Sequence, residues 1–426
     1  MFQAVSWGTA GMRLGTIFLL ASCAVHGYRA EAAVQKQWSV DLTEYGYHRR
    51  TSTQAYSSEV RVAGTNKVIA VAIGNIPPAI QGDSNWRPWN SPLDVHLLLF
   101  SAESGKFQTR RGPWRTDSSF ELQATGDGGF LLLLRHFHDK EKNPGETLYL
   151  LSALGEERKK LELEPSIISG KPDWNTYHVS GSGRTVLLGR RSGDEMRYQL
   201  LDALKLEVRN EWMAAPEDKL CGIAAISDRE AVGVKNADPG ESPSRPAKEQ
   251  PLCVRAFGGP WRMMPERVDA AHYGLLEPVN SPSYIAMTGE SIVVIHARPK
   301  EQEPAIRVMR TDGSSVSTAV IPKLQENTWL SGPVEGSDNG QYFAVGFMHR
   351  PWLSHLMLDE MQMDMTFWND ELIFLIWRIP SAEPVARIEL GSDVSAMGFV
   401  GDDPPAFLYV HGTTLRLLCI RPPIAH

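Results

Sequence analysis

Residues 120–134 read Phe120-Glu121-Leu122-Gln123-Ala124-Thr125-Gly126-Asp127-Gly128-Gly129-Phe130-Leu131-Leu132-Leu133-Leu134. The first five alternate apolar and polar, the period of a strand buried on one face. A turn of small residues follows, and then an unbroken apolar run suited to a strand buried on both faces. Downstream, Thr147 to Leu151 supplies a third strand and Lys160-Leu161-Glu162-Leu163 an alternating, half-exposed fourth. The next unit repeats the sequence of strands over Tyr177 to Ser180, Thr185 to Arg190, Arg197 to Leu201 and Leu206 to Trp212. The turn-plus-apolar-strand phrase recurs seven times, with its last turn residue at Asn66, Gly129, Arg184, Arg229, Glu290, Gly340 and Pro405. The spacing averages about 56 residues, enough for four strands per unit, and such a period marks a propeller. The expected fold is therefore all-β: a seven-bladed β-propeller of four-stranded antiparallel blades over residues 37–420.

The last unit is one strand short. Ser395 to Val400, Ala406 to Val410 and Thr414 to Ile420 make three strands. A spare alternating segment, Gln37-Trp38-Ser39-Val40-Asp41-Leu42, lies at the other end of the chain. Placed as the outer strand of the seventh blade, it would close the ring and remove two open sheet edges.

The chain has 426 residues, 43 basic and 50 acidic, for a net charge of −7. No basic block accompanies this balance, which argues against a nucleic-acid partner. Residues 1–33 read as an export signal: Arg13 precedes the apolar run Leu14 to Val25, too short to span a bilayer. Ala30-Glu31-Ala32 offers an ordinary cleavage site, while Leu20-Ala21-Ser22-Cys23 resembles a lipobox that would acylate Cys23. In both cases the body is expected outside the cytoplasm, touching a membrane only through a lipid at Cys23. Export would permit Cys221 to pair with Cys253. The strand reading puts them on the first and third strands of one blade, ~9.5 Å apart, beyond the ~7 Å reach of a disulfide, and so favours free thiols.

Three long connections, 76–93, 236–250 and 348–370, fall between second and third strands and should crowd one mouth of the channel. Loops on a rigid scaffold are where function concentrates. Trp86, Trp89 and Trp352 lie on two of them. His136, His138, Arg190, His296, His349 and Arg350 stand where second strands end, at the same mouth. These nine residues are the candidate ligand-binding set. A His and Arg ring could hold an anion or a metal, but polar residues are also what strand ends at a surface require. No zinc-type spacing, nucleophile elbow, HExxH or phosphate loop is present, and neither a cofactor nor a metal is expected. Gly112-Pro113-Trp114-Arg115 recurs as Gly259-Pro260-Trp261-Arg262, and these indoles are expected to wedge between successive sheets.

Gly336-Ser337-Asp338-Asn339-Gly340-Gln341-Tyr342-Phe343-Ala344 resembles the Ser-x-Asp-Gly turn of secreted bacterial WD40-like and YVTN-type propellers, and Ala124 to Phe130 is a looser copy. The resemblance implies a seven-bladed ring and little about substrate. Phe100-Ser101-Ala102-Glu103-Ser104-Gly105-Lys106 looks like the docking repeat of quinoprotein dehydrogenases, which carries a Trp soon after Gly-Lys; here it occurs once, and Trp114 is too distant. Two functions follow as expectations. One is a non-catalytic, monomeric binding propeller that takes a protein, peptide or glycan on the insertion-bearing face. The other is a lactonase-like or quinoprotein-like enzyme using His and Arg at the channel mouth.

Overall fold

Seven four-stranded antiparallel sheets follow one another along the chain, each an up-and-down meander, in a computed structural model. It describes residues 33–48, 58–76, 92–117, 119–137, 144–168, 171–173, 175–192, 195–214, 221–235, 249–269, 283–296, 305–321, 328–337, 340–349, 371–390, 394–400 and 406–421. Blade 1 is Glu59–Gly64, Val68–Asn75, Leu93–Ser101 and Phe107–Thr116. Blade 2 is Phe120–Ala124, Phe130–Phe137, Pro144–Leu151 and Glu157–Leu163. Blade 3 is Thr176–Val179, Thr185–Ser192, Glu195–Asp202 and Glu207–Met213, with a small extra hairpin, Ser166–Ile168 and Lys171–Asp173, joined to its second strand. Blade 4 is Cys221–Ile226, Glu230–Lys235, Glu249–Ala256 and Arg262–Asp269. Blade 5 is Ser283–Thr288, Ser291–His296, Ala305–Arg310 and Ser315–Val320. Blade 6 is Thr328–Gly336, Tyr342–His349, Glu371–Arg378 and Glu383–Leu390. Blade 7 takes three strands from the end of the chain, Val394–Val400, Ala406–His411 and Thr414–Arg421, and its outer strand from the beginning, Ala33–Asp41.

That last pairing is the expected latch. Val40 sits opposite Leu415, and Trp38 opposite Leu417. Trp38 is buried, and its indole N–H donates to the Ala102 carbonyl at 2.8 Å. Ala102 and Gly105 belong to the Phe100–Lys106 phrase, the turn between the third and fourth strands of blade 1. Gly105 has φ +69°, and a Cβ there would stand 2.7 Å from the Trp38 ring. The indole that covers this turn thus comes from the latch strand upstream of blade 1, not from Trp114.

The cores lie between blades. Each of the seven apolar clusters among the described residues spans two neighbouring sheets, and the last joins blade 7 and the latch to blade 1. The second strands contribute most because both their faces are covered: Ile69 to Ile73, Leu131 to Leu134 and Ile292 to Ile295 are buried without a break. Each such side chain contributes roughly 1.5–3 kcal/mol of burial. Outer strands alternate or are exposed, as Glu157–Leu163 shows. Trp114 tilts against Tyr149 of blade 2, ring centroids 6.0 Å apart, and Trp261 packs in the core between blades 3 and 4. The expected wedging of these indoles is therefore present.

The repeated turns share one device. A Ser or Thr closing the first strand turns its hydroxyl back onto the turn's own backbone or side chains. Ser180 Oγ accepts from Thr185 N at 3.1 Å, Ser227 Oγ from Glu230 N at 3.1 Å, and Ser337 Oγ from Tyr342 N at 2.9 Å. Thr125 Oγ1 instead donates to Asp127 Oδ1 at 2.7 Å. Gly340, at φ +70°, lies so close to blade 5 that a Cβ would fall 2.6 Å from Gly289 N.

One expectation fails. Cys221 and Cys253 form a disulfide with their Cα atoms 6.7 Å apart. The two-strand spacing assumes flat neighbours. Here the intervening strand presents Gly233, which is opposite Cys253 on one side and Ile223 on the other. With no side chain at Gly233, the Gly222 carbonyl comes within 2.5 Å of where its Cβ would be, and a bulge follows between Ile223 and Ala225. The first strand therefore leans over the second, and Cys221 reaches the third. Cys419 is a free thiol, half-buried, donating to Gln37 Oε1 at 2.9 Å across the latch.

Candidate functional site

Second strands end, and inter-blade connections begin, at one end of every blade, because a four-stranded meander alternates direction. In the structure the three connections run from Asn75 to Leu93, from Lys235 to Glu249 and from His349 to Glu371, joining second to third strands in blades 1, 4 and 6, so their anchor points Asn75, Lys235 and His349 share that end. Trp86, Trp89, His138, Arg350 and Trp352 lie outside the described residues, as does the side chain of His349.

The remaining candidates are each set on a different blade. Arg190, in blade 3, donates Nη1 to the Glu164 carboxylate and Nε to the Pro165 carbonyl at 3.3 Å, tying down the link from blade 2. His296, the last residue of its strand in blade 5, has Nε2 2.8 Å from Glu266 Oε1 of blade 4. Arg307 Nη1 reaches both oxygens of that carboxylate, at 3.0 and 2.9 Å. Burial pulls the Glu266 carboxyl upward, but the hydrogen bonds and charges of His296 and Arg307 prevail and hold it below its ordinary value. His136 is half-buried near Glu162; burial pulls that carboxyl upward, but hydrogen bonds from Lys160 and Thr147 and the charge of Lys160 hold it below its ordinary value, with His136 adding last. The structure does not bring His136, Arg190 and His296 to one point.

A buried polar network, not anticipated from the sequence, lies at the same end between blades 2 and 3. Arg135 Nη1 contacts Glu121 Oε1 at 2.7 Å and its Nε contacts Glu146 Oε1 at 3.0 Å. Glu146 is 2% exposed and accepts from Asn175 N at 3.0 Å. Asn175 in turn accepts from Ser166 Oγ at 2.9 Å. Every partner is satisfied, as a buried charge requires.

The first strands of all seven blades line a central channel of about 690 Å³. Its wall is mostly Ala, Gly and Val, because seven strands converging on an axis leave little room. Gly64 shows why: a Cβ there would meet Val400 Cγ2 at 2.4 Å. Against this wall Arg61, Glu121 and His178 stand out. Arg61 lies 5.6 Å over the Phe120 ring and Glu121 is taken by Arg135, whereas His178 is half-buried on the channel wall, where desolvation drives its imidazole down to about 4. His178 is thus neutral at pH 7. The signal that could have found it is a histidine in a first strand, against a channel wall that is mostly small and apolar apart from Arg61 and Glu121.

This yields a pH prediction. In the unfolded chain an ordinary histidine takes up a proton below ~6.5, whereas the native site refuses it until about 4. Stability should therefore fall as pH drops through that window, and His178→Gln should flatten the fall. Urea midpoints for both proteins between pH 7 and pH 4 test this, and identical slopes would refute it. A second cavity, about 750 Å³, opens at the opposite end among the turns of blades 3 to 5, lined by Asp228, Arg229, Glu290, Arg310 and Asp312.

No family model and no curated protein sequence matches the chain. Among solved structures, the β-propeller domain of the Trilobed protease from Pyrococcus furiosus, reported to have an open velcro topology, is similar with a TM-score of 0.50 and 11% identity, over 85% of this chain and 92% of that one. A Pyrococcus horikoshii acylaminoacyl peptidase aligns with a TM-score of 0.47 and 11% identity, over 84% of this chain and 50% of that one. Together with the seven sheets and the latch, the first likeness establishes the fold and only the fold: this chain is a seven-bladed β-propeller whose two termini share one blade.

Proposed function

We propose that this chain is a non-catalytic binding propeller of the secreted WD40-like type, taking a protein, peptide or glycan on the face that carries the three long connections. The observation that carries the reading is that the anchors of these connections stand at one end of blades 1, 4 and 6, above a frame stiffened by ion pairs. Connections that carry Trp86, Trp89 and Trp352 suit recognition, since tryptophan is enriched among the residues that anchor interfaces. Arg190 and His296 being held by Glu164 and Glu266 weighs against their use as a lactonase-like or quinoprotein-like centre. The protein acts outside the cytoplasm, as a monomer as far as this face is concerned. The latch strand begins at Ala33, so cleavage after Ala32 would remove none of it, and acylation at Cys23 would leave a short tether. The Cys221–Cys253 disulfide suits an oxidising compartment.

Peptide and glycan arrays probed with the native protein and with the Trp86→Ala/Trp352→Ala variant provide the test. The native protein should select one ligand class, and the variant should lose affinity on the order of a hundredfold with its melting curve unchanged. Equal binding by both proteins would overturn the face assignment.

A further inference from the structure

The hydroxyl residue that closes each of several first strands sets a common level around the channel. It is Thr65 in blade 1, Thr125 in blade 2, Ser180 in blade 3 and Ser227 in blade 4, each holding the turn that follows. Two positions earlier, and so on one side of the strand, stand Ala63, Gln123, His178 and Ala225. Blade 5 has Ala286 two residues before Thr288, and blade 6 has Glu335 two residues before Ser337. Ala63, Gln123, His178, Ala225 and Ala286 all line the channel. Alanines thus flank one polar sector, Gln123 and His178, set side by side because blades 2 and 3 are neighbours.

The charged groups of the channel wall are already engaged. Arg61 donates Nη1 to the Val60 carbonyl at 2.9 Å and lies over Phe120, and Glu121 is held by Arg135. Gln123 and His178 are not: among the described residues neither side chain makes a hydrogen bond. Gln123 is exposed and His178 half-buried, although both sit in the innermost strands of their blades, because they face the channel. The wall across from them includes Ile285, Met397 and Phe399 of blades 5 and 7. A space of about 690 Å³ with an apolar wall and a few polar groups at one place has the make-up of a small-molecule site. Desolvation keeps His178 neutral, so the free pair carries no charge, and an ion taken in beside it would find no counter-charge there.

We propose that the channel binds a neutral sugar ring, whose adjacent hydroxyls hydrogen-bond the Gln123 amide and the His178 imidazole while its C–H face lies against the apolar wall of blades 5 and 7. The amide and the neutral imidazole each offer both a donor and an acceptor, and a hydroxyl can answer either. Adjacent ring hydroxyls present these functions from one edge, which matches two side chains standing next to each other on neighbouring blades. A peptide unit matches them less well, because its N–H and C=O point to opposite sides. The site lies inside the ring and does not depend on the tryptophan-bearing connections.

Isothermal titration calorimetry of the full chain with glucose, galactose, mannose and N-acetylglucosamine tests this, with N-acetylalanine methylamide as a neutral amide and acetate as an anion. At least one sugar should bind saturably at a single site per chain, and the amide and acetate should not. Gln123→Ala and His178→Ala should each weaken that sugar by about tenfold or more, since each leaves a ligand hydroxyl unmatched inside the channel. Gln123→Ala removes a side chain that no protein group holds, so its circular dichroism spectrum should match that of the native protein. Trp86→Ala/Trp352→Ala should bind the sugar as the native protein does, which separates this site from the ligand face proposed above. Absence of binding by every sugar, tighter binding of the amide or of acetate, unchanged affinity in Gln123→Ala, or loss of the sugar in the double tryptophan variant would each overturn the proposal.

Discussion

Removal of residues 33–42 is expected to broaden the thermal unfolding of the propeller and lower its midpoint, and Trp38→Ala alone to cost about 3–5 kcal/mol. The segment does more than fill an edge. It supplies the fourth strand of blade 7, with eight register partners from Ala33 opposite Arg421 to Asp41 opposite Thr414. Trp38 and Leu42 belong to the apolar cluster that also holds Ile69, Val71, Leu98 and Phe100 of blade 1 and Leu408 and Val410 of blade 7. Its loss would therefore open one of seven interfaces in a ring whose blades are each held by two neighbours. Blade 7 would be left with Thr414–Arg421 as a bare edge beside half a core. Calorimetry of the truncated protein should show a broadened, lower transition. A melting temperature equal to that of the full chain would mean that the latch is ornamental.

Reduction of Cys221–Cys253, or Cys253→Ala, is expected to lower stability by about 3–4 kcal/mol, since cross-linking a loop of this size removes that much freedom from the unfolded chain. The bridge spans 32 residues and encloses the connection 236–248 of blade 4, so its effect falls on the unfolded state and on that loop's closure. Cys253 is fully buried and Cys221 is 3% exposed, so reduction should be slow without denaturant. Urea midpoints of the oxidised and reduced protein measure the difference. Coincident curves would show that the core between blades 3, 4 and 5 sets the stability unaided.

How far the sequence could be read depended on range. The phrase at 120–134 exposes its strand periods and its turn chemistry within a few residues, and local repetition carried that reading to seven blades. Even the latch was legible, because an alternating Trp38, Val40 and Leu42 and a final unit lacking one strand are complementary defects. The disulfide was not legible, because it depends on a glycine at 233 letting one strand lean over another, a feature of the sheet's curvature and not of its order. The Arg135–Glu121–Glu146 network and the His296–Glu266–Arg307 cluster were equally hidden, since their members come from different strands, and in the second case from different blades. His136, Arg190 and His296 were visible as residues that end second strands, but which carboxylate each would meet is a matter of how neighbouring sheets are rotated about the axis. What the sequence determined by itself was the number, order and closure of the sheets, because those follow from short-range periodicity and turn residues. What only the tertiary structure decided was the partnership of Arg190 and His296 at the rim and the desolvation of His178 on the channel wall, because distances between blades are set by packing around the whole ring.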